Sequence, residues 1–364
     1  MNITLSQNIE IFETVNLFAL LIGIIFGVVA QKTQFCFSGS IKDYLLFSST
    51  RRASSVIMAM IVAVIGTYIL GEYFEVEFSE ALWRKDEINY FSIILGGILF
   101  GTGMVISDGC SSRHLIKFAQ GDNKSLVTLL FIAIFAYSSM KGILNPLVYA
   151  LSMNQTLLSI SSLLDNDALP IIAVLIVLVC ILALLVRRPK RILLLTDGVI
   201  VGLLVTFAWY ITWIFSEASM EADTRYVPFT SLTFVGPSAR ALELFTHYKD
   251  ANTDFGIFLI LGVLLGAFVM SRFNKKYSFG CVSALKIHKL KNNMLGGALM
   301  GVGGVLALGC TVGQGLTGLS TLAVASFIAI LSIAISGYIM ARYLHKKKQL
   351  PMCFIFEWGD EKTN

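Results

Sequence analysis

The chain contains one stretch twice, at residues 95–110 (LGGILFGTGMVISDGC) and 295–310 (LGGALMGVGGVLALGC). Aligned at an offset of 200 without gaps, the copies are identical at nine of sixteen positions, five of them glycine. Each copy predicts an apolar helix that breaks at small residues and ends at a cysteine. Glycines at this spacing let two helix backbones approach closely inside a bilayer. The repeat therefore predicts two related halves, each of which brings one thiol to a shared path.

The composition identifies the class of protein. Of the 364 residues, 56% are hydrophobic and 14% are charged, whereas a soluble domain carries about 25% charged residues. The net charge of +5 is spread over loops, with no basic cluster interleaved with aromatics, so a nucleic-acid partner is excluded. The six cysteines have no C-x-x-C spacing, and the chain lacks a nucleotide loop or a nucleophile–base pair. We therefore expect no metal, no cofactor and no enzymatic activity.

Runs of about 20 mostly apolar residues predict membrane-crossing helices, and Lys and Arg in short loops mark the cytoplasmic side. The fold class is accordingly all-α: a polytopic membrane protein of about nine transmembrane helices plus short re-entrant helices. The predicted spans are 15–31, 53–73, 91–107, 126–151, 169–186, 192–215, 255–271, 294–308 and 319–343. Pro146 is expected to kink the end of the fourth span. Segment 35–47 is predicted to be re-entrant or interfacial.

The basic residues in the loops predict the orientation. Arg51, Arg52 and the cluster at 187–191 mark cytoplasmic turns, which places the N-terminus outside and a tail, 344–364, in the cytoplasm. The two copies then lie in the third and eighth spans and run in opposite directions. Inverted repeats are the usual construction of secondary transporters, with the substrate site where broken helices meet. The prediction is one transport domain, 1–364, with halves at 15–151 and 192–343.

The cysteines are the candidate ligands of the path. A thiol is a weak donor and a polarizable acceptor, and it brings less charge into the membrane than Asp or Lys, so it suits a sulfur-bearing ligand. Cys110 and Cys310 lie at the two helix breaks, and Cys36, between two phenylalanines, is the candidate mouth of the path. Cys180 is expected to be a buried structural residue. Cys281 is a weak counterpart of Cys36, because its glycine spacing differs.

Polar groups near the breaks are expected to support these thiols. They are Asp43, Gly109 and Arg113 in the first half and Gly309, Thr311 and Gln314 in the second. Arg113 and Lys117 either attract an anion or only set the topology, and both readings stay open. Asp108 is expected to pair with Arg113 or to cap the helix that follows it.

These motifs resemble those of the YeeE/YedE family of bacterial membrane proteins over nearly the whole chain. The matching segments are FCFSGSIKD, GGILFGTGMVISDGCSSR, FGIFLILGVLLGAFV and GGALMGVGGVLALGCTVGQGL. The resemblance implies an all-helical, hourglass-shaped protein in which Cys36, Cys110 and Cys310 pass thiosulfate along by S–H hydrogen bonds to sulfur. Some relatives are instead associated with selenium metabolism. The tail with Cys353 lies outside the shared pattern.

The resulting hypothesis is a transporter in the bacterial inner membrane that imports thiosulfate or a related sulfur anion. One alternative is a thiol-transferase in which Cys110 or Cys310 becomes a persulfide and passes sulfur to a TusA-type cytoplasmic carrier protein. That role requires a thiolate, which a neighbouring Arg113 would favour. Another alternative is transport of a selenium compound by the same route.

Overall fold

The structure is a computed structural model, and it describes residues 2–84, 88–152, 168–186, 189–222, 225–246, 254–277 and 290–351. The described residues form thirteen α-helices, a π-helix and short 3₁₀ turns, with no β-strand among them. The α-helices are α1 (Asn2–Thr33), α2 (Phe37–Phe47), α3 (Arg51–Phe74), α4 (Tyr90–Ile106), α5 (Ser111–Ala119), α6 (Asn123–Met140), α7 (Asn145–Ser152), α8 (Ala168–Leu185), α9 (Thr196–Glu221), α10 (Val235–Thr246), α11 (Phe255–Phe273), α12 (Leu290–Leu306) and α13 (Val324–Lys346). The π-helix is Gly313–Gly318.

Seven helical segments of the described chain are long and apolar enough to cross a membrane, and shorter apolar helices accompany them. This confirms a polytopic, all-helical membrane protein. Each of the nine predicted spans falls on a long helix, although two of the shorter ones, α8 and α12, are not among the seven. The predicted segment 35–47 forms the short helix α2, which follows a break after α1.

The two copies of the repeat, α4 and α12, pack directly against each other. A Cβ built on Gly96 would lie 2.7 Å from the carbonyl oxygen of Gly303, and one built on Gly103 would lie 2.7 Å from that of Gly296. Because Gly96 corresponds to Gly296 and Gly103 to Gly303 in the repeat, each contact is the symmetry mate of the other. Such a self-complementary contact is typical of two-fold symmetry. The two copies are therefore antiparallel, as predicted.

The other long helices form pairs that match under the same relationship. Glycines show that α1 runs parallel to α11 and that α3 runs parallel to α9. The pair of α4 and α13 is likewise parallel, and so is its mate, the pair of α12 and α6. The short helices follow, since α2 packs on α13 and α10 packs on α6. The order α1 to α6 therefore recurs as α9 to α12, the short helix that contains the π-helix, and α13. The exact boundaries of the halves stay a prediction.

The chain breaks in the same way after both copies. Asp108 has φ of 68° and Leu308 has φ of 56°, a left-handed backbone that is uncommon for residues other than glycine. Each of them is followed by a glycine, a cysteine and the start of a short helix. Backbone strain of this kind persists where the surrounding structure holds it, often at functional sites. The breaks turn the thiols of Cys110 and Cys310 into the interior.

Several details of the sequence prediction were wrong. The predicted fourth span is two helices, because α6 ends at Met140 and Pro146 is the second residue of α7, where its missing N–H costs nothing. The last span begins at Val324 rather than at 319. Residues 311–320 form a separate short helix, which contains the π-helix. Cys180 is exposed on α8, so it faces outward instead of filling the core. Arg51 and Arg52, which the sequence assigns to a cytoplasmic turn, are buried and paired with carboxylates, and their assignment to that side stays a prediction.

Candidate functional site

The three predicted cysteines are buried at the starts of three short helical segments. The thiols of Cys36 and Cys110 are neighbours in the interior and influence each other electrostatically. The Cys110 thiol also lies against the side chain of Thr311, the residue that follows Cys310. The two helix breaks therefore meet. Cys36 directly precedes α2, Cys110 precedes α5, and Cys310 precedes the short helix that contains the π-helix. Cys36 and Cys110 thus lie together, and Cys310 immediately precedes the residue that contacts Cys110.

Backbone N–H groups contact the sulfur atoms of Cys36 and Cys310. The amide of Gly39 donates to Cys36 Sγ at 3.3 Å, and the amide of Gly313 donates to Cys310 Sγ at 3.4 Å. Each sulfur thus accepts from the third amide of the helix that follows it, as an oxygen does in an ordinary N-cap. Cys110 lacks this bond, and its sulfur instead contacts the Ser112 hydroxyl at 3.3 Å.

A small polar cleft opens beside Cys36, on the side where α1 and α4 end and α3 begins. The residues that line it come from α2 with its preceding cysteine, the first turn of α3, the break after α4, and α5. They are Cys36, Ser38, Gly39, Lys42, Asp43, Arg52, Asp108, Gly109, Arg113 and Lys117. The cleft is polar, and a thiol lies at its wall.

Positive charge exceeds negative charge in this cleft. Its four cations, Lys42, Arg52, Arg113 and Lys117, stand against two carboxylates, Asp43 and Asp108, which leaves a formal excess of two positive charges. Because charges buried in the membrane are costly, such a group is usually functional. An excess of two favours a divalent anion as the ligand.

Three of the four cations are paired with carboxylates, two of them with the same one. Asp108 binds Lys42 at 2.6 Å and Lys117 at 2.7 Å, and Asp43 pairs with Arg52 at 3.2 Å. The prediction that Asp108 would pair with Arg113 or cap α5 was therefore wrong, because two lysines reach it first. Arg113 has no carboxylate partner within the described part of the chain.

The guanidinium of Arg113 is only partly occupied. One of its terminal nitrogens, Nη2, donates to the side-chain oxygen of Gln34, which lies in the left-handed backbone between α1 and α2. The other, Nη1, is buried and finds no hydrogen-bond partner among the described residues. Arg113 itself is 4% exposed. Gln34 therefore holds a charged donor in the cleft with one nitrogen left for a ligand.

The second half lacks most of this charge. At the offset of 200, Leu308 stands where Asp108 stands, Gly313 replaces Arg113 and Thr317 replaces Lys117. The residue before α10 is Phe234, a buried aromatic, whereas Cys36 precedes α2. The prediction for Cys281 lies outside the described residues, and the matched helices favour Phe234 as the counterpart of Cys36. The residues around the two helix breaks therefore differ, charged in the first half and neutral in the second.

Gln314 and its counterpart His114 have bridging positions. The Gln314 amide donates to the Ala307 carbonyl and accepts from the Ser326 hydroxyl, at 2.6 Å for the second bond. His114 contacts the hydroxyls of Ser107 and Ser125 at 3.2 and 3.0 Å. Each side chain thus joins the end of a repeat helix to the start of the next long helix. Gln314 as a donor to the ligand stays a prediction, because its amide nitrogen carries two N–H groups and the Ala307 carbonyl accepts from one of them.

Gly109 and Gly309 leave space for the side chains of Arg113 and Gln314 just after the two breaks. A Cβ on Gly109 would lie 3.1 Å from Arg113 Cγ, and one on Gly309 would lie 3.3 Å from Gln314 Cγ. Both glycines thus make room for the side chain four or five residues later. Their role as ligand-binding residues stays a prediction.

Comparison with known proteins identifies the family. The family model described as sulphur transport matches residues 32–339. The chain belongs to the sulphur transport family. The resemblance inferred from the cysteine motifs is thereby confirmed. The thiosulfate transporter TsuA of Escherichia coli strain K12 is 23% identical over 325 residues, which cover 82% of this chain and 85% of that protein.

Other sulphur transport relatives extend the comparison. The thiosulfate transporter TsuA of Spirochaeta thermophila is 23% identical over 357 residues, which cover 90% of this chain and 98% of that protein. The probable transporter YedE of Escherichia coli strain K12 matches 28% of this chain and 24% of its own length at 27% identity. The chain thus spans nearly the full length of two proteins named as thiosulfate transporters.

The prediction from sequence missed several residues of the charged cleft. Lys42 and Arg52 line the cleft, and Gln34 orients Arg113, but none of the three was named as a ligand candidate. From the sequence, Arg52 indicates only the membrane topology, because Lys and Arg at helix ends usually mark the cytoplasmic side. Lys42, one residue before Asp43 in an otherwise uncharged short helix, was the signal that could have been used.

Proposed function

We propose that this protein imports thiosulfate, or a closely related sulfur anion, through a path lined by Cys36, Cys110 and Cys310. The observation that carries the proposal is the meeting of the broken helices, which brings buried thiols together beside a cleft with an excess of two positive charges. Two relatives that cover most of this chain are named thiosulfate transporters, which supports the same substrate.

The chemistry of the site fits this dianion. The charge excess in the cleft balances two negative charges, and the thiols offer polarizable contacts to a terminal sulfur atom. Sulfate has the same charge but lacks that sulfur. Thiosulfate is therefore expected to be preferred over sulfate at the thiols, while the cleft by itself attracts either anion.

Arg113 is the proposed anion-binding cation of the cleft. Lys42, Lys117 and Arg52 already face carboxylates, whereas Arg113 keeps Nη1 for a ligand. Hydrogen bonds that involve a charged group are about twice as strong as neutral ones. Asp43 would act indirectly, because its partner Arg52 is the group that lines the cleft beside it.

The direction of transport follows from the predicted orientation. The C-terminal ends of α11 and α13 carry Arg272 and Lys346, on the side of the membrane where α1 also ends. Basic residues there favour a cytoplasmic location. The N-terminus would then be outside, the host membrane would be the bacterial inner membrane, and the charged cleft would be the cytoplasmic mouth. A TusA-type carrier that receives the sulfur on this side stays a prediction.

Growth of a bacterial host that lacks its own sulfate and thiosulfate uptake tests the function. Expression of the wild-type chain is expected to restore growth on thiosulfate as the sole sulfur source, and Cys110→Ala or Cys310→Ala should abolish it. Cys180→Ala is the matched control, because that thiol lies exposed on α8. Normal growth of the Cys110 and Cys310 variants at wild-type expression would reject the path.

A further inference from the structure

Two buried hydroxyls stand directly after the thiols of the helix breaks. Ser111 follows Cys110 and Thr311 follows Cys310, so the two occupy the same position of the repeat. They are 1% and 3% exposed. Neither Ser111 Oγ nor Thr311 Oγ1 has a hydrogen-bond partner of ordinary geometry within the part of the chain that the structure describes, although Thr311 Oγ1 lies near the Cys110 thiol. The same unpaired donor thus occurs in both halves.

Other hydroxyls in these segments are paired. Thr317 donates to the carbonyl of Leu232 at 2.7 Å, Ser320 donates to the carbonyl of Thr317 at 2.8 Å, and Ser112 contacts Cys110 Sγ. The segments therefore can satisfy hydroxyl groups internally. A buried polar group that is left unpaired destabilises the protein, so an unpaired one calls for an explanation. Two unpaired hydroxyls at equivalent positions point to a shared ligand.

The hydroxyls are located at the two helix breaks, beside the thiols. The Thr311 side chain lies against the Cys110 thiol. Under the relationship that pairs Gly96 with Gly303 and Gly103 with Gly296, Ser111 corresponds to Thr311 and Cys310 to Cys110. The two breaks thus offer the same set of groups, one thiol and one hydroxyl from each half. Neither Ser111 nor Thr311 lines the charged cleft.

We propose that Ser111 and Thr311 form a second, uncharged binding station in which their hydroxyls donate to the oxygens of the passing anion. The proposal rests on the proposed function and specifies the substrate class further, as an oxyanion that carries at least two oxygens besides its sulfur terminus. The thiols would contact the sulfur end and the hydroxyls the oxygen end. Conduction needs a site that binds well enough to be occupied and weakly enough to release its ligand. Neutral donors meet that need better than a second arginine would.

The test combines transport with stability for Ser111→Ala and Thr311→Val, purified as full-length protein and reconstituted into liposomes. Uptake of radiolabelled thiosulfate is expected to show a KM raised by about fivefold for each variant, because each loses one hydrogen bond to the ligand. In the absence of thiosulfate, both variants are expected to unfold at a higher temperature than the wild type, because an unsatisfied buried group has been removed. A smaller upward shift of that temperature on addition of thiosulfate should accompany the raised KM.

Thr317→Val is the matched control, since its hydroxyl lies in the same short helix but has an internal partner. This variant should unfold at a lower temperature and keep the wild-type KM. The inference is overturned if Ser111→Ala and Thr311→Val transport with the wild-type KM, or if both unfold at a lower temperature like the control. Absence of saturable thiosulfate uptake by the wild type would instead overturn the proposed function itself, and the two failures are thereby distinguished.

Discussion

Gly103 of α4 and Gly296 of α12 face each other so closely that a Cβ on either residue would lie 2.7 Å from the carbonyl oxygen of the other. The same contact recurs between Gly96 and Gly303 at 2.7 Å. Since these four positions are related in pairs by the repeat, the duplicated helices form a two-fold interface. Close backbone approach replaces side-chain packing along this line. The interface fixes the separation of the two breaks, and therefore of the thiols that follow them.

This contact predicts that a single methyl group added at Gly103 lowers the stability of the folded protein. Gly103→Ala is expected to destabilise the protein by about 1–3 kcal/mol, because backbone atoms on the partner helix must move. Gly71→Ala in α3 is the control, since its Cβ would meet its nearest atom only at 3.9 Å. Thermal unfolding in detergent measures both. Equal melting temperatures for the two variants would contradict the close contact.

Arg113 is predicted to bind the anion in the cleft. Arg113→Gln should weaken the apparent affinity for thiosulfate by about tenfold or more, because hydrogen bonds to charged groups are the stronger ones. Gln34→Leu should act in the same direction with a smaller effect, because it releases Nη2 without removing the charge. Lys141→Gln, at a side chain that is 58% exposed, serves as the control. An unchanged KM for Arg113→Gln would assign this residue to topology alone.

His114 is predicted to be replaceable by glutamine. Gln314 makes the equivalent bridge in the second half, so His114→Gln is expected to keep both stability and uptake. His114→Leu should lose about 0.5–1.5 kcal/mol of stability for each hydrogen bond removed, because Ser107 and Ser125 keep the Gly103 carbonyl and the Asp122 carboxylate as partners. The pH profile of uptake should be the same in the wild type and in His114→Gln. A profile that changes would show that the imidazole carries a proton needed for transport.

The pairing of α3 with α9 depends on a buried ion pair. Asp197 accepts from Arg51 at 3.1 Å and from the Ser55 hydroxyl at 2.8 Å, and both ions are almost fully buried. Asp197→Ala should cost about 3–5 kcal/mol, because it leaves a buried arginine without this partner. Breaking the exposed pair by Glu243→Ala should cost less than about 1 kcal/mol. Similar losses for both variants, measured by unfolding in detergent, would be inconsistent with the buried pair.

The sequence was sufficient to predict the fold class and the inverted arrangement. A long apolar run can be recognised as a membrane-crossing helix without knowing which other segments it packs against. The glycine repeat in turn determines how its two copies pack. The lengths of helices were less predictable. The residues before Val324 and those around Pro146 are apolar enough to continue a span, and only backbone hydrogen bonding shows that the helices end.

The candidate site was only partly predictable from the sequence. Cysteines at equivalent breaks suggested a path, because a repeated motif is visible in the sequence. The partner of Asp108 was not visible, since Lys42 lies 66 positions away along the chain and Lys117 competes with Arg113 for the same carboxylate. The unpaired Ser111 hydroxyl could not be found either, because an absent hydrogen bond is a property of the folded structure alone.

Uptake of radiolabelled thiosulfate into proteoliposomes tests the central claim most directly. The measurement compares the wild type with Cys110→Ala, Cys310→Ala and the exposed-cysteine control Cys180→Ala, at equal amounts of folded protein. The account predicts saturable uptake by the wild type and by the control, and none by the two variants at the helix breaks. Wild-type uptake by Cys110→Ala and Cys310→Ala would contradict it.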